Sequence, residues 1–195
     1  KARPNPKWNA RTAAYYEKLL AQKTFDFGVF SYSMPGDNEP ENVASTREKL
    51  RAETSRLEAV FGRPFDIMPT YSHIAWYSSK MEFPSTLAGE FAGGDGFNSK
   101  PVLQFTYQFT TNNNNVSSYN STQCQTPMFD ILRGVYDEDF RKLASAIKAY
   151  GYPVLFRLNN EMNTDWTSYC GMMTLCDPEI FILTWRYLYD IFESE

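Results

Sequence analysis

The chain of 195 residues is 43% hydrophobic and 22% charged, with a net charge of −4, which suits one domain spanning residues 1–195. No basic patch stands out, so nucleic acid is excluded as an expected partner. No apolar run approaches the length of a membrane span, so a membrane is excluded as well. Thirteen Tyr, four Trp and fifteen Phe suit a protein that stacks flat rings against sugars, although rings equally fill cores. The chain opens on Lys1 instead of Met, so the expectation is that a leader or upstream segment has been removed.

Asn9 is a side-chain cap for a helix running through Tyr16, Leu19 and Leu20. Residues 25–33 alternate as an aromatic-rich strand, broken by Met34-Pro-Gly-Asp37, a strand-end turn of the kind that carries function. A long helix over residues 42–61 places Val43, Leu50 and Leu57 at intervals of seven, with Val60 and Phe61 closing the stripe. Gly62 and Pro64 stop it. The second strand, 65–71, leads into Tyr71, His73 and Trp76, and a short helix is expected over 84–92. Gly93-Gly-Asp-Gly96 is no phosphate cradle, because it lacks the Lys-Ser/Thr tail and leads into a strand instead of a helix.

The third strand covers 101–109, and the Asn-rich stretch 110–126 is too long for a simple connector, so it reads as a functional or mobile loop. Two glycan-acceptor patterns fall in it, at Asn115 and Asn120. Asp137 is expected to cap a helix with Phe140, Leu143, Ala144 and Ile147 on one face. Gly151 and Pro153 end that helix and open a fourth strand. At the far end of the chain, Asp177-Pro178 starts a last helix with Phe181, Trp185, Leu188 and Phe192 on its expected buried face. Cys124, Cys170 and Cys176 fit no zinc spacing; Cys170 and Cys176 either close a small disulfide loop or are free thiols. No metal or cofactor is expected.

Residues 153–166 are the centre of the reading: Pro-Val-Leu-Phe-Arg-Leu-Asn-Asn-Glu-Met-Asn-Thr-Asp-Trp. Val154, Leu155 and Phe156 form an apolar run with no solvent face, as in a buried parallel strand. The chain then turns polar within a few positions, placing Arg157, Asn159, Asn160, Glu161 and Asn163 ahead of Trp166. Four strands, each followed by a helix and without hairpin turns, imply a parallel βα repeat. The expected fold class is therefore α/β, of the (β/α)8 TIM-barrel type, with only about the first four βα units present, since a full barrel needs roughly 250 residues. A half-barrel would leave raw sheet edges, so its C-terminal half is expected in the full protein. A smaller, self-contained α/β domain is the alternative.

The run Phe-Arg-Leu-Asn-Asn-Glu-Met-Asn, with Trp166 and the later Trp185-Arg-Tyr187, resembles glycoside hydrolase family 26, which contains β-mannanases and related endo-glycanases. Phe27-Gly-Val-Phe30 and Asp130-Ile-Leu-Arg-Gly-Val-Tyr-Asp137 extend the likeness upstream. The resemblance implies a secreted or extracellular retaining endo-glycosidase acting on a β-linked polysaccharide such as β-mannan. It makes Glu161 the general acid/base at the end of strand four, where the strand count independently puts it. Asn160 stands where the wider clan often has an Asn for the sugar 2-hydroxyl and where family 26 mannanases usually have His. Arg157, Trp166, His73 and Tyr71 are the expected substrate contacts. Protonating a glycosidic oxygen near neutral pH calls for a carboxylic acid with a raised pKa in a partly closed site. The nucleophile, a second carboxylate about 5–5.5 Å away, is not found in this chain. The competing expectation is a non-catalytic glycan-binding protein, in which Glu161 is a structural polar group hydrogen-bonded to Arg157.

Overall fold

The computed structural model describes residues 4–30, 44–74, 82–84, 88–89, 100–109, 126–164 and 167–195, apart from the side chains at 44–47, 73 and 172. Five helices and three parallel strands lie among them. In chain order these are α1 (Ala10–Ala21), α2 (Ala44–Phe61), β1 (Ile67–His73), β2 (Val102–Gln108), α3 (Met128–Leu132), α4 (Asp137–Tyr150), β3 (Val154–Leu158) and α5 (Pro178–Ser194). A 3-10 turn, Gly171–Thr174, precedes α5. The sheet runs β1-β2-β3.

The fold is α/β, but the expected barrel with four βα units is overturned by this three-stranded sheet. Among its described residues, 25–30, the first expected strand supplies one parallel bridge, Gly28 to Ile67. Its hydrogen bonds are diverted: Phe27 O accepts from both Asp66 N and Ile67 N, and Phe27 N donates to the Asp66 carboxylate at 3.0 Å. Phe25 is 73% exposed, so the aromatic alternation buries no continuous face that would hold a strand in register. Gly28 is required where the chain crosses β1, because a Cβ there would collide with the Ile67 carbonyl. Residues 31–33 of that expected strand, and the turn 34–37, lie outside the described residues. β3 is therefore the third strand of the sheet, and the strand count no longer supports the role given to Glu161.

The described residues group into two compact units. The first unit comprises Lys1–Thr70, Pro84–Phe105 and Ile147–Leu155. Its core is built by Leu50 and Leu57 of α2, with Phe65, Met68, Leu103 and Phe105. The seven-residue spacing of Leu50 and Leu57 works as expected, yet Val60 is 68% exposed and Phe61 half-exposed, because α2 ends at Phe61. Phe61 meets Phe27 edge to face at 5.3 Å. Asn9 caps α1 as expected, its side chain accepting from Thr12 N at 2.9 Å. Gly151, at φ +73°, ends α4 in the left-handed conformation that favours glycine, and its carbonyl accepts from Asn9 and Arg11.

The second unit comprises Tyr71–Phe83, Thr106–Ala146 and Phe156–Glu195. Phe140, Leu143 and Ala144 of α4 are buried as the spacing predicts, and Phe140 sits among Tyr107, Phe109 and Tyr136. Asp137 is the first residue of α4, and its carboxylate accepts from Tyr187 OH at 2.8 and 3.0 Å. Asp177 does cap α5, accepting from Glu179 N at 2.9 Å, with Pro178 at the first helical position. The buried face of α5 is rotated from the expected one: Thr184, Leu188 and Ile191 are buried, whereas Trp185 is 47% exposed. Thr184 tolerates burial because its hydroxyl donates to Ile180 O at 2.7 Å. Cys170 is buried and Cys176 exposed, and both are free thiols.

Candidate functional site

Within the second unit, a pocket of about 510 Å3 is lined by Tyr71, residues 157–163 and Phe181. Residues 159–163 follow directly on the C-terminal end of β3, where the polar run begins. Asn159 N still donates to Tyr107 O at 2.8 Å, which extends the ladder by one bond. The backbone then enters the left-handed region twice, at Asn159 (φ 57°) and Glu161 (φ 50°). Asn tolerates this conformation, but for a Glu it is uncommon and needs outside support.

That support is explicit. Asn159 Oδ1 accepts from Phe109 N at 2.7 Å, and Ser168 Oγ donates to Phe109 O at 2.6 Å. Both polar atoms of Phe109 are thus held by side chains where the β-ladder stops. Glu161 O accepts from Thr164 N at 3.1 Å and Thr164 Oγ1 at 2.8 Å. Met162 O accepts from Gly171 N at 3.3 Å. The turn is pinned from three sides, while the Glu161 side chain is exposed. Among the described residues its carboxylate has no hydrogen bond or ion pair.

Arg157 does not serve Glu161. Its Nε donates to Thr106 Oγ1 at 3.0 Å and its Nη2 to Tyr71 OH at 3.1 Å, with the guanidinium 5.6 Å from the centre of the Tyr71 ring. Asn160 belongs to a third arrangement. Its Oδ1 accepts from Gln108 Nε2, through a short contact, and from Tyr169 OH at 3.3 Å. Gln108 Nε2 also lies 3.4 Å from Tyr169 OH. The Tyr169 phenol is held above its usual range, mainly by burial, so it remains a proton donor through neutral pH.

Of the residues singled out from sequence, Tyr71, Arg157, Asn160 and Glu161 meet at this one pocket. His73 ends β1, with its side chain outside the described residues. Trp166, Trp76, the glycine-rich 93–96 and the loop 110–125 also lie outside them. Gln108 and Tyr169 were not foreseen, and Asn159 was read only as one of the polar run after the strand. Gln108 had a signal, since it is the polar residue that ends β2; Tyr169 had none. Among the described residues no three His, Cys, Asp or Glu side chains cluster as metal ligands would, and no helix is long and apolar enough to cross a membrane.

The lining offers one cation, one anion, three Asn side chains, a phenol and a phenyl ring. Neither sign of charge dominates this lining. In comparison with known proteins, no family and no curated protein matches the chain.

Proposed function

We propose that this pocket binds a neutral saccharide and that the chain belongs to a secreted glycoside hydrolase cleaving a β-linked polysaccharide such as β-mannan. Glu161 is its general acid/base. The observation that carries the reading is the exposed Glu161 carboxylate, free of hydrogen bonds among the described residues, on a turn that three other residues hold in an unfavourable conformation. Conformational cost of this kind gathers at functional sites. The motif likeness of residues 156–163 to glycoside hydrolase family 26 supports the same reading.

Glu161 would protonate the departing glycosidic oxygen and then take a proton from the attacking water. A retaining mechanism needs a second carboxylate, and Glu161 is the one acidic residue among the described residues of the pocket lining. The nucleophile therefore comes from elsewhere. That same observation favours the second reading, a glycan-binding protein without hydrolysis.

Reducing-sugar release from soluble β-mannan, measured beside affinity electrophoresis in the same gel-embedded polymer, separates the two. The enzyme reading expects Glu161→Ala to lose about 100- to 10,000-fold in cleavage while retarded migration persists. Cleavage unchanged in Glu161→Ala removes Glu161 from the chemistry. Retardation without cleavage in the unaltered protein leaves the binding reading standing.

A further inference from the structure

Arg56, Arg63, Arg133 and Arg141 each meet a carboxylate, those of Glu53, Asp66, Asp130 and Glu195. Arg157 lines the pocket and has no carboxylate partner among the described residues. It is nevertheless held in place. Its Nε donates to Thr106 Oγ1 and its Nη2 to Tyr71 OH, and the guanidinium lies over the Tyr71 ring. All of these partners are neutral, so they fix the cation without compensating its charge. They also take one edge of the planar group, the edge shared by Nε and Nη2. The outer fork, formed by Nη1 and the second N–H of Nη2, meets no acceptor among the described residues. A planar pair of oxygens fits such a fork through two parallel hydrogen bonds.

From this arrangement we infer that the Arg157 fork is a subsite for the carboxylate of an acidic sugar, so that the polysaccharide carries uronic residues beside the neutral ring at Glu161. The inference rests on the saccharide reading of the pocket and adds a substrate class that unmodified β-mannan does not meet. A carboxylate is favoured over a hydroxyl because a charged acceptor compensates the guanidinium and makes the stronger bond. Glu161 shares the lining, and no ion pair joins it to Arg157 among the described residues. Seen from a distance the two opposite charges cancel, so anions are not drawn in indiscriminately and the directional bonds of the fork decide. Thr106 and Tyr71 hold the guanidinium before a ligand arrives, so little side-chain freedom is lost on binding.

The test compares two probes with one backbone: β-1,4-linked mannohexaose, and the same oligosaccharide with its exocyclic hydroxymethyl groups oxidised to carboxylates. Both are titrated calorimetrically into Glu161→Gln, so that neither is turned over, with sodium acetate as a carboxylate that lacks a sugar. The oxidised probe is expected to bind about tenfold more tightly than the neutral one, and acetate far more weakly than either. Arg157→Lys keeps the charge without the fork and should reduce the preference to about threefold, and Arg157→Gln should abolish it. The preference itself is read without any change at Arg157, so a variant that fails to fold cannot hide a failure. Equal binding of the two oligosaccharides, or a preference that survives Arg157→Gln, overturns the subsite and leaves the saccharide reading intact. Acetate bound as tightly as the oxidised probe overturns it as well, because the fork then takes any carboxylate without regard to a sugar. Failure of the saccharide reading looks different: neither oligosaccharide binds, and the subsite falls with it.

Discussion

In the first unit, Asp26, Glu58 and Asp66 are each tied into the fold. Asp26 accepts from Tyr15 OH and Lys18 Nζ, both at 2.9 Å. Glu58, buried on α2, accepts from Phe65 N at 2.9 Å, and Asp66 accepts from Phe27 N and Arg63. In the second unit Glu161 sits on a turn bonded just as thoroughly, but the bonds go to its backbone and to its neighbours, and its carboxylate takes none of them among the described residues. The fold holds the first three by their oxygens and the fourth by its main chain. A carboxylate held in that second way contributes little to the fold and is left available to a ligand.

The comparison depends first on the packing that supports the Glu161 turn. Phe140 is fully buried against Tyr107 and Phe109, the residues that pin Asn159. Phe140→Ala is expected to destabilise by about 3–5 kcal/mol in urea denaturation, from lost burial plus the cavity left behind. A cost below about 1 kcal/mol would mean that the second unit collapses around the vacancy and that the turn is not held by this core.

The sharpest version sets two carboxylates side by side. Glu58→Ala strands the buried Phe65 N–H and is expected to cost about 1–3 kcal/mol. Glu161→Ala removes an exposed group with no bond to lose among the described residues, so its stability should stay within about 0.5 kcal/mol of the original. Equal losses at the two positions, read from the same denaturation curves, would erase the distinction between structural and available carboxylates.

Much of this was legible beforehand and some was not, for reasons that can be named. The caps at Asn9 and Asp177 were legible because capping is local: one side chain meets a backbone N–H two or three residues on. The strands β1, β2 and β3 were expected at 65–71, 101–109 and from 153, the last as an apolar run, and the polar break after Leu158 is where Asn160 and Glu161 line the pocket. The first expected strand failed because alternation reports a face, not whether anything covers it, and Phe25 meets solvent. The phase of α5 failed for a related reason. Trp185 outweighs Thr184 on any apolar count, but Thr184 returns its hydroxyl to its own helix and can be buried. The Gln108–Asn160–Tyr169 arrangement joins residues 52 and 9 positions apart, which no local pattern registers.

A smaller effect is expected where a neutral group plays the part of a charged one. Tyr150 OH donates to Ala88 O at 3.0 Å within the first unit, and burial pushes its pKa up to about 12. Tyr150→Phe should cost about 1 kcal/mol at neutral pH. The bond needs the protonated phenol, whose folded pKa is raised, so its contribution is complete below the ordinary value of about 10 and is lost as pH rises through about 12. Melting temperatures taken between pH 9 and 12 should therefore fall more steeply for the original protein than for Tyr150→Phe, after allowing for the other tyrosines common to both.

The mildest effect lies at Asp26. Burial of its carboxylate, only 9% exposed, pushes its pKa up, but the hydrogen bonds from Lys18 and Tyr15 outweigh burial and hold it below the usual carboxylate range. A folded pKa below the unfolded one means that the stabilisation is present above about pH 4 and is lost as pH falls through the lowered folded value. Lys18 is half-exposed, so solvent and salt screen its part of the interaction, and Asp26→Asn should cost less than about 1 kcal/mol at neutral pH. The difference between the two proteins should shrink in acid and in 1 M salt, because the original loses there what the variant never had.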